Sequence, residues 1–332
     1  MNKQSFRWGL IGPGRIAHAF AEAIKVVDGA ELYALASRDY HRGRAFAQQY
    51  DTPQVYSTYE KLAQDPDVDA IYIATPHRFH HEQARLCLEA GKPVLCEKSL
   101  TVNAQETQDL ISLAKEKNLF LMEALWTRYL PIYQQVRQWL DAGAIGEVKH
   151  LNSSFGFRIN RDLDDRLLNP DLAGGALLDV GIYPIAMSQW VCGDPVSFSA
   201  HGYLGETGVD EYVAVNLQYA NSCVSQFITN FVTTTRNDLT IYGSAGHIRV
   251  HPMFWGGTKA TLVTEGQELT VHKPFRASGF EYQIEEAMRC LQAGLRESPT
   301  MTHAHSLANM TLMDNIRQRI GMRYPFEPAL GA

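Results

Sequence analysis

The 332-residue sequence has no Cys-x-x-Cys pair, no long apolar run and no excess of basic charge, and each absence removes a class of function. Its five cysteines (Cys87, Cys96, Cys192, Cys223, Cys290) are odd in number and widely spaced. That pattern argues against a disulfide framework or a zinc site and for reduced thiols. No stretch approaches the roughly 20 apolar residues of a membrane helix. Residues 1–7 lack the apolar core of a signal peptide. A formal net charge of -6 offers no cationic field for nucleic acid or anionic lipid. Internal repeats and low-complexity segments are absent too. The expectation is a soluble, cytoplasmic protein, long enough for two domains at a prior of roughly 150 residues each.

What is present begins with an alternation of strands and helices. Residues 6–11 are a short apolar run halted by Gly12, as in a buried parallel strand. Ile16, Phe20, Ile24 and Val27 then recur at helical spacing up to Gly29. Further strands are expected at 31–36, 53–56, 70–74, 93–96 and 119–122, with helices at 42–50, 79–90 and 104–117. Such alternation implies parallel pairing, right-handed crossovers, and ligands at the carboxyl ends of the strands. After a helix at 131–142 the pattern changes. Strand-like runs at 211–219, 224–232, 239–242, 247–251, 260–263 and 269–272 are joined by tight turns. Two helices follow, at 281–293 and 303–320. The expected architecture is α/β: a doubly wound parallel sheet over residues 1–123, then an α+β domain over 124–332 with a large open, mostly antiparallel sheet.

Gly12-Pro13-Gly14-Arg15-Ile16-Ala17 matches Gly-x-Gly-x-x-Gly/Ala directly between a strand and a helix. Absent side chains let the backbone approach a pyrophosphate, whose charge meets the helix N-terminus. No Gly-Lys-Ser/Thr follows, which disfavours a nucleoside triphosphate. The first domain therefore reads as a dinucleotide-binding Rossmann domain. The second strand ends Ala36-Ser37-Arg38, and a hydroxyl beside a guanidinium suits the 2′-phosphate of NADP. Asp39 is close enough to serve a ribose instead, so NAD stays open.

Two further stretches carry chemistry. Glu97-Lys98-Ser99 follows a strand at the end of the sheet where a nicotinamide would lie. If residues 177–184 are helical, Asp179 and Tyr183 are four apart and share a face. With these in view, the sequence resembles the Gfo/Idh/MocA family over essentially its whole length. The resemblance rests on Trp8-Gly9-Leu10-Ile11-Gly12-Pro13-Gly14-Arg15-Ile16-Ala17 and on Ala74-Thr75-Pro76-His77-Arg78-Phe79-His80. It rests equally on Gly91-Lys92-Pro93-Val94-Leu95-Cys96-Glu97-Lys98 and on the run from Gly174 to Pro184. Within the family it is most similar to the branch of dimeric dihydrodiol dehydrogenases and NADP-dependent D-xylose 1-dehydrogenases. Met122-Glu123-Ala124-Leu125-Trp126-Thr127-Arg128-Tyr129 and Asp179-Val180-Gly181-Ile182-Tyr183-Pro184 carry that likeness.

The resemblance implies hydride transfer from a carbinol carbon of a sugar or trans-dihydrodiol, with Lys98, Tyr183 and Asp179 at the reacting centre. It implies cofactor contacts from Gly12, Gly14, Arg15, Ile16, Ser37, Arg38, Thr75, Pro76, His77, His80, Glu97 and Lys98. Physical chemistry agrees on the acid–base pair. A phenol has a pKa of roughly 10, and a neighbouring ammonium favours phenolate. The family pattern Glu-Lys-Pro ends here in Ser99, which leaves freer a backbone that proline would fix.

His77, His80 and His81 fall within five residues, but no acidic or thiolate partner has ligand spacing, so no metal is expected. Trp126, Arg128, Phe155, Trp255 and Phe280 are expected to join Asp179 and Tyr183 in the substrate pocket, since aromatics stack on sugar or arene faces. Phe227 and Phe231 on one face of a strand, with Val224, Ile228 and Val232 on the other, predict an apolar sheet face and a homodimer built on it. Two other functions fit the same sequence: a non-catalytic NAD(P)-binding sensor, and an NAD-dependent glycosidase. Net NADPH formation from a substrate fits only the dehydrogenase.

Overall fold

The computed structural model describes residues 5–160 and 162–327. The chain divides into two compact units. One runs up to Trp126 and includes Phe275–Leu307; the other is Thr127–Pro274 with the chain from Ala308 onward.

The first unit alternates β1 (Phe6–Ile11), α1 (Arg15–Ile24), β2 (Ala30–Ala36), α2 (Tyr40–Tyr50), β3 (Gln54–Tyr56) and α3 (Tyr59–Gln64). It continues with β4 (Ala70–Ile73), α4 (His80–Glu89), β5 (Val94–Glu97), α5 (Ala104–Glu116) and β6 (Leu121–Ala124). All six strands are parallel, in the order β3-β2-β1-β4-β5-β6. The order reverses between β1 and β4, which opens a crevice at their carboxyl ends. Every residue of β4, β5 and β6 is buried, as strands covered by helices on both faces must be. Leu62, Leu88, Leu110 and Ala114 pack from the helices onto Ile71, Ile73 and Val94. The sequence pattern misses α3. It is six residues long, too short to display a period, and is announced only by Thr58, whose side chain caps it.

The second unit opens with α6 (Pro131–Asp141) and β7 (Val148–Gly156), followed by α7 (Ile182–Cys192). Seven strands follow: β8 (Ser197–Leu204), β9 (Asp210–Gln218), β10 (Val224–Asn230), β11 (Leu239–Gly243), β12 (Gly246–Val250), β13 (Lys259–Thr264) and β14 (Gln267–His272). They form an eight-stranded sheet in the order β14-β13-β12-β11-β7-β10-β9-β8. All neighbours are antiparallel except β7 and β10. The pattern misses β7 because Lys149, His150, Asn152, Ser153 and Ser154 leave little apolar alternation, and β8 because it is a polar edge strand.

The exposed face of this sheet mixes apolar and polar side chains, with Val224 and Ile228 half-buried there and Tyr242 exposed. Gln226 donates to Asn216 at 2.8 Å and Asn216 donates to Ser199 at 3.2 Å, so hydrogen-bonded polar side chains run across it.

Two helices close the chain, α8 (Glu281–Gln292) and α9 (His303–Arg319). The structure also divides the chain differently from the 123/124 boundary, because residues 275–307 pack with the first unit. Ser278 Oγ donates to the Ala19 carbonyl at 2.7 Å. The Glu281 carboxylate accepts the backbone N–H groups of Arg276, Ala277 and Gly279. The His303 ring meets the Leu121 carbonyl at 2.9 Å. Contacts between residues so far apart in sequence leave no local periodicity to read.

Candidate functional site

The turn after β1 explains its own glycine. Gly12 has φ +85°, and a Cβ there would stand 2.6 Å from Thr75 Cγ2. Any side chain would therefore collide with the turn after β4 as well as strain the backbone. α1 begins without a capping side chain and without an acidic residue in its first turn. Its N-terminal amides and dipole are thus left for an anion. One pocket gathers Gly12 and Gly14 from this turn, Ser37 and Arg38 from the end of β2, and Thr75 and Pro76 from the end of β4. Asp39, Arg42 and Tyr59 complete its wall.

Ser37 is buried, while the exposed Arg38 guanidinium lies over the Phe79 ring, 5.3 Å from its centroid. Burial pushes the Tyr59 phenol up, and Arg38 pulls against that shift. Asp39 is the N-cap of α2: its Oδ1 accepts the Arg42 N–H at 3.0 Å, which holds its carboxyl below the ordinary range. One carboxylate oxygen is thus committed to the helix. Arg42, which sequence reading passed over, brings a second guanidinium to the same wall. Its signal was the four-residue spacing from Arg38 across a helix start. A helix N-terminus without a cap, a hydroxyl and two guanidiniums fit the pyrophosphate and 2′-phosphate of a dinucleotide.

The other cofactor candidates stand outside this wall. Arg15 and Ile16 are exposed at the start of α1. His77 is buried, edge-on to His80. His80 is fully buried and spans two carbonyls, with Nε2 2.8 Å from Thr75 O and Nδ1 2.9 Å from Ser99 O. Burial holds its pKa below the ordinary value, against the two carbonyls, which favour the protonated ring. His80 therefore ties the end of β4 to the segment after β5. Glu97 is buried as well and accepts the Tyr72 hydroxyl at 2.5 Å. Burial pushes its carboxyl up to about 7, with the Tyr72 bond and Lys98 pulling the other way. Lys98 follows directly, and its peptide bond to Ser99 is cis. Where the family pattern has proline, the segment is held by the His80 contact and by Leu100 N–H donating to Glu123 Oε1 at 3.0 Å. Among the described residues no group of three or more His, Cys, Asp or Glu side chains could hold a metal ion.

In the second unit the glycine run has an equally specific cause. Gly175 has φ +117°, and a Cβ there would stand 2.4 Å from Asp210 Oδ1. Asp210 is fully buried, and its Oδ2 accepts the Leu177 N–H at 2.6 Å. Burial pushes this carboxyl up to about 7, with the Leu177 bond pulling down. The Leu177–Gly181 segment that follows is a wide π-helical turn and runs straight into α7. Such turns are frequent at functional sites. Asp179 stands on this turn and Tyr183 in the first turn of α7, both buried. Asp179 Oδ1 pairs with Arg166 Nη1 at 3.2 Å. The Tyr183 ring lies 5.6 Å from Phe155, which stacks on Trp255 at 3.4 Å and 6°. Asp210 and Arg166 were not foreseen, since only the folded chain brings them to this turn.

The residues expected at the substrate pocket come from both units. Tyr183, Asp179, Phe155 and Trp255 belong to the second unit, whereas Trp126 and Phe280 pack on one another in the first, 5.1 Å apart. The Arg128 guanidinium is buried, and Nη2 donates to Ala186 O and Gln189 Oε1 of α7, both at 2.8 Å.

Comparison with known proteins agrees with this geometry. Residues 6–125 match the GFO_IDH_MocA model, an oxidoreductase family with an NAD-binding Rossmann fold, and residues 133–249 match the GFO/IDH/MocA C-terminal domain. The chain is 35% identical over 331 residues to the trans-1,2-dihydrobenzene-1,2-diol dehydrogenase of Xenopus tropicalis, covering 96% of this chain and 99% of that one. It is 34% identical to the human enzyme of the same name, covering 97% and 98%. Among solved structures, a 3-ketoreductase from Actinomadura kijaniata in complex with NADP and TDP-benzene superposes with a TM-score of 0.85 at 27% identity, over 95% of this chain and 98% of that one. The aldose-aldose oxidoreductase of Caulobacter crescentus shares the fold, with a TM-score of 0.87 at 22% identity over 95% and 97%. With the phosphate turn, the doubly wound sheet and both family domains in place, the chain is an NAD(P)-dependent oxidoreductase that belongs to the Gfo/Idh/MocA family.

Proposed function

We propose that this chain transfers hydride between a carbinol carbon of a sugar or trans-dihydrodiol and NADP. One observation carries the reading: Tyr183 lies beside the stacked Phe155–Trp255 pair, with Asp179 one turn before it on the same helical segment. Flat apolar rings suit the face of a sugar or a cyclic diol, and a phenol and a carboxylate suit its hydroxyls. The names of the curated relatives point to the dihydrodiol.

The nicotinamide, when bound, supplies the hydride acceptor or donor. Gly12, Gly14 and the first amides of α1, from Arg15 and Ile16, would hold the pyrophosphate, and Ser37, Arg38 and Arg42 the 2′-phosphate. Thr75, Pro76, His77, His80 and Glu97 would shape the nicotinamide end, His80 and Glu97 from behind. Tyr183 takes the substrate hydroxyl proton in oxidation and returns it in reduction. Lys98, in the role implied by the family resemblance, favours the phenolate and brings this proton transfer within reach of neutral pH. Asp179, paired with Arg166, orients substrate hydroxyls. We also propose a homodimer through the exposed face of the eight-stranded sheet, and a reducing cytoplasmic setting, which the five free cysteines support.

The test is a spectrophotometric screen of trans-dihydrodiols, pentoses, hexoses and inositols with NADP and with NAD. Net NADPH formation is expected. Tyr183→Phe should bind NADPH normally yet turn over about 100-fold more slowly or worse, the usual scale of lost acid–base catalysis. Near-normal turnover in that variant would remove Tyr183 from its role.

A further inference from the structure

We infer that Cys192 and Cys223 are a redox-responsive thiol pair that closes into an intramolecular disulfide, fastening the C-terminal end of α7 to the start of β10. The two Sγ atoms lie 3.2 Å apart. This proximity is set by the register of two elements. α7 meets β10 through small side chains, and one step before the cysteines Ser188 Oγ meets Ser225 Oγ at 2.7 Å. From Ser188 to Cys192 is four helical residues, a rise of about 6 Å. From Ser225 back to Cys223 is two strand residues, a rise of about 6.8 Å. The strides match, so a helix that seats Ser188 on Ser225 also seats Cys192 on Cys223.

Reactivity separates this pair from the other three thiols. Cys87 and Cys96 are wholly buried, and burial pushes both thiols far up, away from thiolate. Cys290 is buried too, and its thiol donates to Glu286. Cys192 is only half-buried, so a small oxidant reaches the pair. The bond from the Cys192 thiol holds Cys223 below its ordinary range. The oxidant class is a hydroperoxide. One sulfur, as thiolate, displaces hydroxide from the peroxide and becomes a sulfenic acid; the second sulfur then displaces that hydroxyl. Two thiols and one hydrogen peroxide thus give one disulfide and two waters. The pair lies within the second unit, with Cys192 on the helix that carries Tyr183, and the inference stands without the proposed catalytic role.

The experiment treats the full chain with stoichiometric hydrogen peroxide and maps thiols by alkylation and mass spectrometry. The intact mass should fall by about 2 Da, the mark of a disulfide rather than of an added oxygen. A non-reduced digest should contain a peptide linking Cys192 to Cys223, which dithiothreitol releases, while Cys87, Cys96 and Cys290 remain alkylatable after unfolding. Oxidation should raise the thermal midpoint of the wild type by several degrees and leave Cys192→Ser and Cys192→Ala unchanged. Recovery of both cysteines as free thiols, as sulfinic acids or in intermolecular dimers would overturn the inference.

Discussion

The Arg38 guanidinium rests on the Phe79 ring and shares the phosphate-pocket wall with Arg42. Both cations line one cleft with a single carboxylate, Asp39, one oxygen of which is committed to α2, so the second phosphate of NADP has more to gain here than a bare ribose does. A hydrogen bond to a charged group is worth about 1.5–3 kcal/mol, roughly a 10- to 100-fold change in affinity. Arg38→Ala should therefore raise the Michaelis constant for NADP about 10-fold or more and change that for NAD by less than about 2-fold. Steady-state kinetics with both cofactors decides it, and an unchanged NADP value would remove Arg38 from the site. Arg38 was legible in the sequence because the Gly-x-Gly turn fixes which strand end faces the ribose. Arg42 was not, because its place depends on α2 starting at Tyr40 with Asp39 as cap, a detail that spacing alone does not give.

At the scale of elements, the helical segment bearing Asp179 and Tyr183 starts on a buried carboxyl. Asp210 receives the Leu177 N–H, and its pKa rises on folding from the ordinary 3.8 to about 7. Glu97 shifts the same way, from 4.5 to about 7. A carboxyl that titrates higher when folded binds more protons in the folded state between the two values. Stability is therefore lost as pH rises from about 4 to about 7 and levels off above that. For Asp210 the loss is on the order of a few kcal/mol. Asn keeps an acceptor for the Leu177 N–H and cannot ionise. Urea unfolding of Asp210→Asn should accordingly show a shallower fall in stability between pH 5 and pH 8, and at pH 8 a stability at least equal to the wild type. An unchanged slope would mean that Asp210 does not carry this proton. Elements with a strong period, such as β1, α1 and β9, were legible from apolar spacing. The wide turn at Leu177–Gly181 was not, because what shapes it is a carboxylate that folding brings in from β9.

For the whole molecule, the exposed sheet face decides whether the chain works alone. Its cross-strand register sorts that face into rows. One row pairs Ser199, Asn216, Gln226, Asn152, Thr240 and Arg249 across six strands. A flanking row carries Val224, His150, Tyr242 and His247, with His150 and Tyr242 stacked 5.6 Å apart. On the other side Ile228 lies between Ala214 and Ser154. The Ser199–Asn216–Gln226 part of the polar row is already satisfied within the chain, so covering it strands few donors. A two-fold contact sets the same patch against itself, which would bury both less polar flanks and leave the polar row to fix register. Sedimentation velocity at micromolar concentration should then show a dimer. Ile228→Lys, which puts like charges near the axis and faces away from the core holding Phe227, should shift the protein to monomer with its far-ultraviolet circular dichroism and NADPH affinity intact. A wild type that sediments only as monomer, or an Ile228→Lys protein that remains dimeric, would move the contact off this face.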